Sequence, residues 1–377
     1  MINLLASATS VPRHAFSTGG LLDSLRHKLS PEIVNTIGAL GVERRFSTLE
    51  NFPDFLGGEP MRATSSATAL GAEAARRCLD EWGGDARRVG LLIAATNTPA
   101  QLLPCLASEV MANLHGLLSR SISTVSMQAQ GCSVLLKTVE VARWYLTANP
   151  SKVALILLSE AHTPYITPPV AAEYFGYREI ARRRRAGALG EEEAARQRLD
   201  TTLMVQAMLF GDGAVALLVG REEGRAEFGP VTHLTNDEPG DVDLLSMGGG
   251  SLEPCLAGRP VYFMRPSVPN RGAHYAVTTV RRVLEHPDSR VRRLEDVSGC
   301  LIHTGSKKIL DGVCAQLAIA PDSSKVRASY EVLKSYGNLS SASTGFMLSA
   351  RDQSPGPAVV VGFGVGFTAS AGVVNFN

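Results

Sequence analysis

The sequence predicts an α/β fold, on three observations. Short, strongly apolar runs recur along the chain, helical patterns separate them, and the order of these features in the first half returns in the second. The runs are Val89 to Ala95, Val153 to Leu158, Ala214 to Val219, Gly299 to His303 and Ala358 to Gly362. Each lacks polar alternation, as expected of a strand covered on both faces, and is read as a buried strand of the parallel kind. Ser65 to Trp82 and Ala273 to Glu285 carry helical patterns between them. The repeat rests on offsets. From the strand end at Ala95 to Gly131-Cys132, and from that at His303 to Gly337-Asn338, the spacings are 37 and 35 residues; from there to the next strands at Val153 and Ala358 they are 21 and 20. Two copies of one unit are expected, 1–220 and 221–377, with Cys132 and Asn338 brought together near a shared axis. The stretch 163–202 breaks the pattern. It has no strand-like run and carries Pro164, Pro168 and Pro169, aromatic Tyr174, Phe175 and Tyr177, then Arg182 to Arg185 and Glu191 to Glu193. It reads as a helical excursion, either a solvated hairpin with compensating charges or a lid or docking element for an acidic partner.

Composition narrows the function. With 377 residues, 45% of them hydrophobic and 19% charged, the chain can bury a large core and is neither disordered nor a coiled coil. Thirty-seven Lys and Arg against 36 Asp and Glu leave a net charge of +1, too little to draw nucleic acid or an anionic membrane globally. Six cysteines, Cys78, Cys105, Cys132, Cys255, Cys300 and Cys314, form no close pair, so no metal site or disulfide framework is expected, and a reducing cytoplasm fits. The N-terminus does not read as a secretory signal, and no apolar run reaches the ~18 residues of a membrane span.

Cys132 follows Gly131 at the start of a helical pattern, where the helix dipole would favour a thiolate and lower its pKa. His303 closes a strand at the end where open α/β sheets place their sites. Asn338 lies in Ser335-Tyr-Gly-Asn-Leu-Ser-Ser, and Gly362-Phe-Gly-Val-Gly-Phe-Thr forms a glycine-rich turn that lacks the context of a dinucleotide fingerprint. A thiolate can accept an acyl group from a thioester, while His and Asn donate to an oxygen that gains charge as a malonyl-type unit loses carbon dioxide. Asn cannot be a base. A Cys, His, Asn set also serves papain-like hydrolysis, but the sequence around Cys132 is not of that kind.

These residues resemble the condensing enzymes of the thiolase fold, particularly chalcone and stilbene synthase-like (type III) polyketide synthases and β-ketoacyl-acyl-carrier-protein synthase III. Gly41-Val-Glu-Arg-Arg-Phe resembles GI-x-x-R-x, Gln130-Gly-Cys132-Ser the nucleophile motif, and Leu209-Phe-Gly-Asp-Gly-Ala-Val-Ala the FGDGA turn. His303-Thr-Gly-Ser-Lys-Lys-Ile-Leu resembles HPGG-x-x-IL, Tyr336-Gly-Asn338-Leu-Ser-Ser-Ala resembles YGN-x-SSA, and Gly362 to Thr368 resembles GFGPGLT. The resemblance implies a duplicated five-layer α-β-α-β-α core, with Cys132 as acyl acceptor, His303 and Asn338 on the thioester carbonyl during decarboxylation, and the backbone N–H groups of Cys132 and Val365 as oxyanion hole. It implies a cytoplasmic homodimer with no metal or redox cofactor, whose substrates ride on coenzyme A or a phosphopantetheinyl carrier protein, in polyketide, fatty acid or specialised lipid biosynthesis. Alternatives on the same fold are an acyltransferase that joins the acyl group to oxygen, nitrogen or a second β-ketoacyl chain without decarboxylation, and a non-catalytic partner subunit. Thr304 and Ser306 depart from the family's Pro and Gly, and Asn97-Thr98-Pro99 through Leu103-Pro104 reads like the synthase III branch. The long 163–202 stretch borders the acyl pocket in the family, so it would reshape that pocket or, through Arg182, Arg183, Arg184 and Arg185, meet an acidic carrier protein. Among Phe210, Phe263 and Met264 the sequence does not choose which faces substrate.

Overall fold

The computed structural model describes residues 1–166, 171, 173–248, 262–350 and 354–377. Cys255, Pro168 and Pro169 fall outside them. The described cysteines are all free. Nine strands form one mixed sheet: β1 (Ile2–Ser10), β2 (Val89–Thr96), β3 (Ser123–Gln128), β4 (Val153–Glu160), β5 (Gly213–Gly220), β6 (Ala226–Thr235), β7 (Gly299–Ile302), β8 (Gly356–Gly364) and β9 (Thr368–Phe376). Their spatial order is β7-β8-β9-β6-β1-β5-β4-β2-β3. Outward from the β1–β6 seam, each side runs through two antiparallel pairings and then a parallel one: β1–β5, β5–β4 and β4–β2 on one side, β6–β9, β9–β8 and β8–β7 on the other. The all-buried runs were expected to pair in parallel. β5 instead pairs antiparallel with both neighbours, because full burial reports cover on two faces and not strand direction.

The side chains of alternate residues divide the core into three layers. Leu92, Ala94, Leu155, Leu157, Ala216 and Leu218 pack outward against α1 (Ala67–Trp82) and α2 (Leu106–Asn113). Their alternates Leu91, Ile93, Ile156, Leu158, Leu217 and Val219 face inward to meet α3 (Val134–Ala148) and the later helix Ser343–Ser349, with Leu301 and Val360 of the other side of the sheet. Cys300, Ile302, Val359 and Val361 turn away from that middle layer toward the helix Val268–Glu285. Helix, sheet, helix, sheet and helix follow in five layers, the duplicated thiolase-type architecture.

Local signals set the element ends. The Ser66 hydroxyl caps α1 by accepting from the Ala69 amide at 3.2 Å, and Gly83, at φ +65°, closes it in the left-handed region that glycine tolerates. Residues 163–202 contain α4 (Tyr177–Arg185) and the first part of α5 (Glu191–Leu209).

Two buried ionisable groups tie the N-terminal segment to the core. Arg45 is fully buried, and its Nη2 donates to the Met208 carbonyl at 2.7 Å and to Thr18 Oγ1 at 2.8 Å; burial lowers its pKa to about 9. The Asp212 carboxylate accepts from the Thr48 amide (2.7 Å), Thr48 Oγ1 (2.9 Å), the Thr163 amide (2.8 Å) and Thr163 Oγ1. Burial pushes its pKa up while those donors oppose the rise. Asp212→Ala leaves four buried donors without an acceptor and lowers the unfolding free energy by at least about 3 kcal/mol, to be measured by urea denaturation. A loss below about 1 kcal/mol would mean that the donors find other partners.

Candidate active site

At the start of α3 the chain makes a 3-10 turn, Gly131–Ser133, that carries Cys132. Gly131 adopts φ +68°, and a Cβ there would lie 2.8 Å from the Val365 backbone nitrogen, so position 131 is restricted twice over. The β8 end presses on the turn from the same side: a Cβ on Gly364 would stand 3.1 Å from the Cys132 nitrogen and 3.3 Å from its sulfur. The Cys132 turn and the backbone around Val365 are thus packed against one another.

A second turn, Ser340–Ala342, packs on the first from the other half of the chain. Its Ser340 Oγ lies 3.5 Å from Cys132 Sγ, and its amide donates to Asn338 Oδ1 at 2.8 Å. The expected meeting of the Cys132 and Asn338 segments therefore holds in space. Asn338 is fixed by its own backbone, which donates to the Leu209 carbonyl at 2.9 Å and accepts from the Gly211 amide at 3.2 Å. His303 is the first residue after β7; its amide donates to the Val361 carbonyl at 2.9 Å, and its ring meets Phe363 edge-on at 5.5 Å. Phe363 precedes Gly364, so one strand end contacts both His303 and Cys132.

Three groups that sequence reasoning did not single out complete the site. Glu160, wholly buried at the end of β4, accepts from the Asn97 amide (3.0 Å), Asn97 Nδ2 (2.9 Å), Thr98 Oγ1 (2.7 Å) and the Ser341 hydroxyl. Asn97 Nδ2 also reaches Ser340 Oγ at 3.1 Å, and its Oδ1 accepts the Gly131 amide at 2.9 Å. One amide side chain therefore bridges the Cys132 turn, the buried carboxylate and the serine beside the sulfur. The third is His162, buried two residues beyond Glu160. Glu160 and His162 share a signal with His303: each is a polar residue within four positions of the end of an apolar run.

Burial governs the electrostatics. The Cys132 thiol is pushed up to about 12 by desolvation, against a lowering contribution from Ser340 and with a further raising one from the Glu160 charge. The expectation of a thiol acidified by the helix dipole is corrected here: in the resting site the sulfur carries its proton, because loss of water around a buried anion outweighs a partial charge. Burial lowers His303 and His162 to about 3, and raises Glu160 against its many donors. Both imidazoles are neutral near pH 7.

This neutrality links stability to pH. A group whose folded pKa is depressed contributes stability that is present above its unfolded value, about 6.5, and lost as pH falls toward the folded one. The stability difference between wild type and His162→Phe should therefore shift against wild type by about 1.4 kcal/mol per pH unit between pH 6 and 4. Denaturation series at pH 7, 6, 5 and 4 measure it, and parallel curves would show that His162 is protonated in the folded state.

The four arginines of α4 lie apart from this cluster on the excursion. Arg182 and Arg183 pair with Glu179, the latter at 2.8 Å, and Arg184 pairs with Glu191 at 2.7 Å. Phe210 stacks on His162 with ring centroids 4.3 Å apart, whereas Phe263 and Met264 are exposed and line a cavity of about 740 Å³ with Tyr262, Arg198 and Thr202.

Residues 289–376 match the family model described as "3-Oxoacyl-[acyl-carrier-protein (ACP)] synthase III C terminal". A 3,5-dihydroxyphenylacetyl-CoA synthase of Streptomyces toyocaensis is 26% identical over 74% of this chain, and the match spans 62% of that protein's own length. A β-ketoacyl-[acyl-carrier-protein] synthase III of Oleidesulfovibrio alaskensis is 29% identical over 80% of this chain and 82% of its own. Among solved structures, the C-terminal type III polyketide synthase domain of Steely1 from Dictyostelium superposes with a TM-score of 0.76 at 19% identity, covering 100% of this chain and 99% of that one.

Proposed function

We propose that this chain is a thiolase-fold condensing enzyme, a ketosynthase that loads an acyl group on Cys132 and extends it by decarboxylative Claisen condensation. The observation that carries the reading is the contact between two turns from opposite halves, which sets Ser340 and the Asn338 segment against the Cys132 sulfur. In the loading step the sulfur attacks a thioester carbonyl, the negative charge on oxygen is met by the backbone N–H groups of Cys132 and Val365, and the donor thiol leaves. His303 relays the Cys132 proton to the departing donor sulfur within this step and does not rest as an imidazolium, since burial holds its pKa at about 3. In the second step the carboxylate bond of a malonyl-type thioester breaks and carbon dioxide departs. The electron pair delocalises onto the thioester oxygen, where His303 and Asn338 donate hydrogen bonds. The resulting carbanion attacks the acyl carbon on Cys132, and the carbon–sulfur bond breaks to restore the cysteine.

The relatives bear on the carriers, since one is named for a coenzyme A product and another for an acyl-carrier-protein substrate. Substrates of this chain arrive on such thioester arms, and no metal or redox group enters the steps above. The chain acts as a homodimer, as the resemblance implies. Malonyl-coenzyme A labelled in its free carboxylate tests the chemistry. One labelled carbon dioxide should appear per carbon–carbon bond formed, and acyl transfer without its release would redirect the assignment to a non-decarboxylating acyltransferase.

A further inference from the structure

The buried imidazole of His162 has no role in the steps just described. Neither ring nitrogen has a hydrogen-bond partner among the described residues. Its Nε2 lies 3.8 Å from Glu160 Oε2, beyond hydrogen-bond reach. A neutral imidazole presents one N–H donor and one bare nitrogen, and leaving each buried and unpaired costs about 1–3 kcal/mol. A purely packing role does not account for that cost, because a phenyl ring would stack on Phe210 equally well without it.

The surroundings say what would pair with it. One face of the ring lies on Phe210, with planes 15° apart, and Tyr262 stands 5.9 Å away. Tyr262 also lines the cavity of about 740 Å³ between α5 and the strand Tyr262–Met264. Toward the interior the route to the nucleophile is short: Glu160 holds Asn97, and Asn97 holds both the Gly131 amide and Ser340 beside the sulfur. His162 thus sits between the aromatic wall of an outer cavity and the polar hub of the nucleophile. Tyr262 links the two sides: it lies close enough to Cys132 and Glu160 to feel the charge of each, and its ring stands 5.9 Å from that of His162.

We propose that His162 is a specificity-determining residue that hydrogen-bonds a keto oxygen on the Cys132-bound acyl chain, so that the enzyme favours oxo-acyl over plain alkyl groups of equal length. This rests on the ketosynthase reading and deepens it. An alkyl chain seated there leaves both ring nitrogens unpaired, whereas a keto oxygen accepts the N–H. Sites built to bond a polar substrate group discriminate strongly against the analogue that lacks it.

The test is the initial rate of Cys132 acylation, followed by intact-protein mass, with two length-matched pairs of coenzyme A thioesters: 3-oxobutyryl with butyryl, and 5-oxohexanoyl with hexanoyl. Wild type should prefer the oxo member of at least one pair by about tenfold or more. His162→Phe should bring that ratio to within about twofold of unity, chiefly by slowing the oxo donor, and His162→Gln, which keeps an N–H, should restore part of it. A wild type that loads both members of each pair equally overturns the proposal without recourse to a variant. So does a folded His162→Phe protein with the wild-type ratio. If wild type gains no mass from any of the four donors, the ketosynthase reading itself fails, and that result is distinct from loading without preference.

Discussion

Cys132→Ala should yield a protein that folds, melts within a few degrees of wild type, and gains no mass from any acyl thioester. The magnitude follows from chemistry: without the sulfur there is no covalent acceptor, so the acyl-enzyme is lost altogether and condensation falls to background. The fold should tolerate the change because the turn is held by groups other than the thiol. Gly131 is anchored through its amide to Asn97, and the Gly362–Gly364 backbone packs on main-chain atoms of Cys132. The thiol itself has one polar neighbour at 3.5 Å, a weak contact whose loss costs little. Intact-protein mass and a melting curve on the same sample check both halves of the statement. Acyl mass persisting in the alanine variant would place the acceptor on another side chain.

Asn338→Ala should separate loading from elongation. With Cys132 in place the first acyl transfer continues, while condensation falls about 10²- to 10³-fold, as expected when one donor to a developing oxyanion is removed. Asn338 also supports Ser340, whose amide donates to its Oδ1 at 2.8 Å, and alanine deletes both functions together. Asn338→Asp resolves them, since a carboxylate still accepts from the Ser340 amide yet donates nothing. Equal loss of condensation in both variants, with loading intact in both, identifies the missing donor as the cause. Normal decarboxylation in the aspartate variant would remove Asn338 from the chemical step.

The sequence disclosed the parts of this molecule that are locally uniform. Runs such as Val89 to Ala95 became strands because burial on both faces selects apolar side chains at every position, and the spacing of Cys132 and Asn338 revealed the duplication. β1, β3, β6 and β9 left no such mark. Their stretches, among them Ser123-Thr-Val-Ser-Met-Gln and Thr368-Ala-Ser-Ala-Gly, mix small polar with apolar residues; the Thr368 hydroxyl is accommodated by Ser133 at 2.8 Å. The site divides in the same way. Cys132, His303 and Asn338 each lie in a recognisable local pattern, whereas the Asn97–Glu160–Ser340 hub joins residues separated by 63 and 243 positions. No local pattern encodes such a contact. The thiol's acidity was misjudged for the same reason: a helix start is visible in a string of letters, but the depth at which it is buried is not.

The middle layer of helices has a consequence for how the molecule can move. Because α3 and Ser343–Ser349 fill the space between the two sides of the sheet with Val134, Leu135, Phe346 and Met347, the two sides share one packed layer. A clamshell motion of one side against the other would therefore cost the burial of that shared layer. The cavity bordered by α5 and Tyr262–Met264 lies outside that layer. Movements there disturb less buried surface than parting the two sides of the sheet would.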